Sequence, residues 1–123
     1  MKNLIRKILK ENREEKFFKF ISSKLEPPYF YNLERLGINV EEDIEPIMTI
    51  IFDQPIKKIT KPNVVRNLND QILYFKDPTT KAWYVNIYDQ NGNKIYAEDT
   101  FAWTLNKYDE NGNKTNTKLG MKK

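Results

Sequence analysis

Two five-residue stretches concentrate side-chain oxygen in the second half of the chain: Asp89-Gln90-Asn91-Gly92-Asn93 and Asp109-Glu110-Asn111-Gly112-Asn113. Asp and Asn oxygens are calcium ligands. Each stretch is too short to supply six oxygens and lacks a bidentate Glu at the needed distance. Turn chemistry accounts for every residue instead, with Asp at the first turn position and Gly at the fourth. Around the two stretches stand Trp83, Tyr84, Tyr88, Tyr96, Trp103 and Tyr108, interleaved with Lys94 and Lys107. Such a set can stack bases and hold phosphates, or it can pack a sheet.

Catalytic arrangements are poor. The 123 residues include no histidine and no cysteine. That removes the commonest general base and metal ligand, thiolate metal sites and disulfides. Ser22 and Ser23 therefore have no imidazole to activate them. The four glycines, Gly37, Gly92, Gly112 and Gly120, form no phosphate-cradling loop. Glu14-Glu15 and Glu41-Glu42-Asp43 read as acids of a solvated face and of a helix start. The expectation is a protein that is not an enzyme and carries no cofactor or metal. An enzyme using a metal held only by oxygen ligands is the enzymatic alternative.

The elements that position these residues follow from periodicity. Leu4, Ile5, Ile8 and Leu9 share one helical face, and Phe17, Phe18, Ile21 and Leu25 share another on roughly the opposite side. One straight helix would leave one stripe uncovered, so a break is placed near Glu11-Asn12-Arg13. That gives helices at 2–11 and about 13–25. Pro27-Pro28 ends the second. Tyr29–Leu36 reads as a short helix closed by Gly37. The next helix starts near Asn39 or Asp43, with Pro46 in its first turn. It buries Ile44, Ile47, Met48, Ile51 and Phe52 and ends before Pro55.

From Ile56 the period becomes alternating. Ile56–Thr60 reads as a short strand. Residues 82–94 and 102–114 then agree at nine of thirteen positions. Such repetition marks a repeated supersecondary unit. Trp83, Val85 and Ile87 alternate onto one face of a strand, as do Trp103 and Leu105. The Asp-x-Asn-Gly turn follows, as a type I turn closed by a positive-φ residue or as a type I′ turn. Lys94–Ala97 returns as the partner strand. A decayed copy is expected upstream, where Gln71–Asp77 resembles Asn93–Asp99 around a turn at Asn69-Asp70. The last strand, Thr115–Lys118, is polar, as an exposed sheet edge requires. Residues 120–123 are expected to fray.

The fold class is α+β: short N-terminal helices packed with a C-terminal antiparallel β-hairpin meander. Residues 1–55 form the helical part and residues 56–123 the hairpin part, sharing one core because neither has enough apolar residues alone. The repeated Tyr-Asp-x-Asn-Gly-Asn at 88–93 and 108–113, with Asp99 between, resembles the YD repeats of the rearrangement-hotspot type. Short hairpin repeats of this kind also resemble those of small bacteriophage proteins. The resemblance covers about residues 70–118 and implies hairpin geometry, in a family some of whose repeats bind carbohydrate. The second glycine of the family pattern is absent after Asp99.

Charge is segmented. Residues 1–25 carry eight Lys/Arg and three acids, residues 26–55 one and seven, and residues 56–123 twelve and seven. No run of about 18 apolar residues is present, and the N-terminus lacks a signal-peptide pattern, so the expectation is a cytoplasmic protein without a membrane span. The first functional expectation is a small protein-interaction module, a phage accessory or virion protein, whose partner is a protein. Its binding face would carry Tyr84, Asn86, Tyr88, Asn106 and Tyr108 with Lys94 and Lys107, a Tyr/Asn surface suited to adaptable recognition. Helix 2–11, with Lys2, Arg6, Lys7 and Lys10 opposite its apolar stripe, docks on its own domain or in a partner groove. The alternative is nucleic-acid binding by the basic aromatic sheet. The sequence leaves the oligomeric state open.

Overall fold

A computed structural model describes residues 15–121. The helix expected at 2–11, with Lys2, Arg6, Lys7 and Lys10, lies outside the described residues. Helix α1 (residues 15–24) buries Phe18 and Ile21 and leaves Phe17 and Phe20 exposed. Helix α2 (Tyr29–Arg35) ends as its sequence predicts. Gly37 takes φ 86°, its amide donates to Glu34 O, and the Ile38 amide donates to Leu33 O. These bonds satisfy carbonyls that the helix end would otherwise leave unpaired.

Asn39 Oδ1 accepts the Glu42 amide at 3.1 Å, and helix α3 (Ile44–Pro46) follows. The expected α-helix then opens into a π-helix over Ile47–Ile51. The Thr49 hydroxyl donates to Glu45 O at 2.8 Å, the carbonyl a regular α-turn would give to the Thr49 amide. Side-chain bonding of this kind competes with the backbone ladder. Ile44, Ile47 and Met48 are buried as expected.

The second half is one six-stranded antiparallel sheet in sequential order. Its strands are β1 (Val64–Arg66), β2 (Ile72–Lys76), β3 (Trp83–Tyr88), β4 (Lys94–Asp99), β5 (Ala102–Tyr108) and β6 (Lys114–Met121). Ile56–Thr60 is not a strand. Between Pro55 and Pro62 it touches the sheet through isolated bridges, Ile56 to Asn67 and Lys61 to Val64. Residues Gly120 and Met121, expected to fray, belong to β6. There Trp103 lies so close over Gly120 that an added Cβ would come within 2.3 Å of the indole nitrogen.

The three hairpins share one turn. Asp89 Oδ1 accepts the amides of Asn91 and Asn93 at 3.0 and 2.8 Å, and Asp109 Oδ1 accepts those of Asn111 and Asn113 at 2.9 and 2.8 Å. In the upstream copy Asn67 Oδ1 accepts Asn69 and Gln71 at 3.0 and 2.9 Å. Positive φ falls on Gly92, Gly112 and, in the equivalent place, Asp70. Asn91 and Asn111 are not in that region, so the turn is type I closed by a left-handed residue, and type I′ is excluded.

Each turn is followed by a bulge. The pairing slips between Val65 and Arg66, between Ile87 and Tyr88, and between Lys107 and Tyr108. A bulge sets two residues against one, so strict alternation fails there. Leu73 with Tyr74 and Ile95 with Tyr96 all meet the core, and all but the half-buried Ile95 are fully enclosed. One apolar cluster runs from Phe18, Phe30, Leu33 and Met48 to Val65, Leu73, Val85, Ile87 and Tyr96, so helices and sheet share a core.

Candidate functional site

The helices cover one face of the sheet. Alternation puts Trp83, Val85, Ile87, Tyr96, Glu98, Trp103 and Leu105 on that side, and Val85, Ile87, Tyr96 and Glu98 are buried. Glu98 is 2% exposed. Its carboxylate accepts the Phe30 and Tyr31 amides at 2.8 and 2.9 Å and the Tyr96 hydroxyl at 2.6 Å. The Tyr96 hydroxyl in turn accepts the Tyr29 amide at 2.9 Å. Helix α2 has no cap from its own Pro28. Its first amides are instead satisfied by the sheet, with a negative charge at the positive end of the helix. Burial and the adjoining Glu98 carboxylate push the Tyr96 phenol far above its ordinary range. Burial, then the charges of Glu41 and Glu34, push Tyr74 up to about 12.

Among the described residues no helix covers the other face. Tyr84 faces Asp99 across the ladder; Asn86, Ala97, Thr104 and Leu119 form a row across four strands; Ala102 faces Met121. Small residues thus floor a trough of about 440 Å³ whose lining includes Tyr84, Asn86, Lys94, Ala97, Asp99 and Thr104. Tyr84 stands on one rim, its ring 5.5 Å from Phe75. Leu119, 74% exposed, and Met121, 76% exposed, stand on the other. Phe101, at the β4–β5 turn, is 71% exposed.

The seven residues expected to form a binding face are not equivalent. Tyr84, Asn86, Tyr88, Asn106 and Tyr108 alternate onto the uncovered face, and Lys94 joins the trough lining because the bulge at Ile95 reverses its side. Lys107 alternates onto the opposite face with Trp103 and Leu105, so it does not join them. Asn86 and Asn106 are only 8% exposed. Their amides donate to Ile72 O at 3.2 Å and to Lys94 O at 3.1 Å, the first residues of β2 and β4. The repeated asparagine therefore fastens each strand to its neighbour where a bulge weakens the ladder. The Tyr108 hydroxyl donates to the same Lys94 carbonyl at 2.9 Å. Burial, with Tyr84 beside it, raises the Tyr88 phenol.

Sequence reasoning missed Ala97, Thr104, Leu119 and Met121. The small residues carry no signal alone, Met121 sits in the tail read as frayed, and Leu119 falls between that tail and the polar strand read at 115–118. Glu98 was missed too, although a signal existed: a Glu two residues after an inward-facing Tyr must itself face inward, and a buried charge needs partners.

Among the described residues no three His, Cys, Asp or Glu side chains gather as metal ligands. No helix among them is long and apolar enough to cross a membrane. The chain matches no family model, no curated protein and no solved structure.

Proposed function

We propose that this chain is a protein-interaction module that presents the uncovered face of its hairpin sheet to a protein partner. The observation that carries the reading is the trough: a floor of Ala97 and Thr104 between an aromatic rim at Tyr84 and an exposed apolar rim at Leu119 and Met121. Exposed apolar side chains grouped along a concave surface mark interaction sites. An aromatic anchor beside small floor residues suits a partner side chain entering between the strands. Asn86, Asn106 and Tyr108 support that surface rather than reach from it. The hairpin repeats serve as scaffold, in the manner of YD repeats and of small phage proteins, and a chain without cysteine suits a reducing cytoplasm.

The test puts a photo-cross-linking residue at Leu119 of the full chain expressed in its native host. A control carries it at exposed Glu45. The expected result is a discrete adduct at 119 that disappears when Thr104→Lys fills the trough. Equal labelling from both positions, or an adduct indifferent to Thr104→Lys, overturns the reading.

A further inference from the structure

At the β1 edge, remote in strand order from β6, the extended segment 56–61 lies alongside the sheet. It is held by the bridges at Ile56 and Lys61 and by the Lys57 amide donating to Arg66 O at 2.9 Å. Between segment and strand lies a groove of about 370 Å³, lined by Lys57, Lys58, Lys61 and Arg66 with Thr60 and Asp70. Four cations and one carboxylate leave it with a net of three positive charges.

The groove is partly preorganised. Lys57 Nζ lies 3.1 Å from Asp70 Oδ1, and Arg66 Nη1 donates to Asp70 O at 2.9 Å. The hydrogen bond and charge of Lys57, with Arg66 beside it, hold the Asp70 carboxyl below its usual range. Asp70 thus fixes two cations and neutralises one. Among the described residues Lys58 and Lys61 make no ion pair. Like charges held this close repel one another, and a polyanion relieves the repulsion.

We infer that this groove binds the phosphate backbone of a single-stranded nucleic acid. An acidic peptide fits less well. It would dock by adding a strand, but the outer edge of β1 is already taken up by the 56–61 segment, through the Lys57 amide on Arg66 O and the Val64 amide on Lys61 O. No deep apolar pocket is present to take a peptide side chain, since Ile59 and Val64 are half-buried. What the groove offers is side-chain cations and the Thr60 hydroxyl, the groups that contact phosphates without reading sequence. The overall charge of +4 favours the same approach.

The experiment is fluorescence anisotropy of a labelled oligothymidylate titrated with the full chain at several salt concentrations. Four phosphate contacts give a log–log salt slope of about −3, at about 0.7 per contact for a single strand. Lys58→Ala with Lys61→Ala is expected to weaken binding about tenfold or more at low salt and to flatten the slope by about 1.4. Both side chains are exposed, so the thermal melt should not move. Lys16→Ala with Lys24→Ala, both exposed on α1, should leave binding unchanged. Absence of binding at low salt overturns the inference. So does equal loss in both double variants, or polyglutamate competing as well as unlabelled oligonucleotide, which would assign the groove to an acidic protein.

Discussion

The hairpins β3–β4 and β5–β6 carry the same thirteen-residue motif and fold into the same turn, yet they meet different surroundings. Under β3–β4, the core side holds Val85, Ile87, Tyr96 and Glu98, all buried, with the start of α2 bonded to Tyr96 and Glu98. Under β5–β6, the positions twenty residues on from Tyr96 and Glu98 are Asn116 and Lys118, both exposed. The bulge pair Ile95-Tyr96 becomes Thr115-Asn116. The comparison separates two roles that a repeat combines. The turn residues set the shape of a hairpin, and the residues at the bulge and two beyond it decide whether that hairpin is a core element or an edge. Strand β6 keeps its place through its ladder to β5 and through Trp103 over Gly120, and its side chains stay exposed.

Substitutions sharpen that contrast. The largest effect is expected at Glu98. Glu98→Ala leaves two helix amides and a buried phenol without their acceptor, which costs about 3 kcal/mol or more at about 1–3 kcal/mol per unsatisfied group. Lys118→Ala, the equivalent change one repeat later, should stay within about 0.5 kcal/mol. Urea titration of the two variants measures the difference directly, and equal losses would break the comparison. Next in size, Gly120→Ala forces Trp103 from its seat and should cost about 1–3 kcal/mol as overpacking does. A shift in tryptophan emission should accompany it. Tyr96→Phe removes one donor and one acceptor from the α2 cap and should cost about 1–2 kcal/mol by denaturant midpoint.

The smallest effect is a pH dependence at the alkaline end. Tyr74 holds its proton up to about 12 in the folded chain, whereas an unfolded tyrosine loses it near 10. Above pH 10 the folded state therefore binds more protons than the unfolded one. The contribution is fully present below pH 10 and is lost as pH rises towards about 12. Tyr96, raised in the same direction, adds to the loss. Thermal melts across that window should show falling stability, and Tyr74→Phe should flatten the fall.

Much of the β half was legible because the repeat is long and its turn chemistry is local. Asp89, Gly92, Asp109 and Gly112 specify the turn from within five residues. Alternation correctly placed Val85 and Ile87 inward. The upstream hairpin was visible only through the likeness of 71–77 to 93–99, because Asn67 and Asp70 replace the Asp and Gly of the turn. What alternation could not show is the bulge, since one extra residue sends Ile95 and Tyr96 to the same side. The Glu98 cap on α2 joins residues 67 and 68 apart, a distance over which no local pattern speaks. Of the expected binding face, Tyr84 and Lys94 line the trough, while the asparagines hold strands together and Lys107 points the other way. Composition resembling a recognition surface was in part the composition of a strand fastener.

The most direct test of this account is amide hydrogen exchange resolved to individual residues. Amides of β4 at Tyr96–Glu98 should exchange only through global unfolding, because they sit over the core and beside the Glu98 cap. Amides of β6 that pair with β5 should exchange orders of magnitude faster through local opening, despite an identical turn and comparable hydrogen bonds. Equal protection in the two strands would show that the turn and ladder alone hold the hairpins, and would contradict the claim that burial at the bulge pair and Glu98 sets them apart.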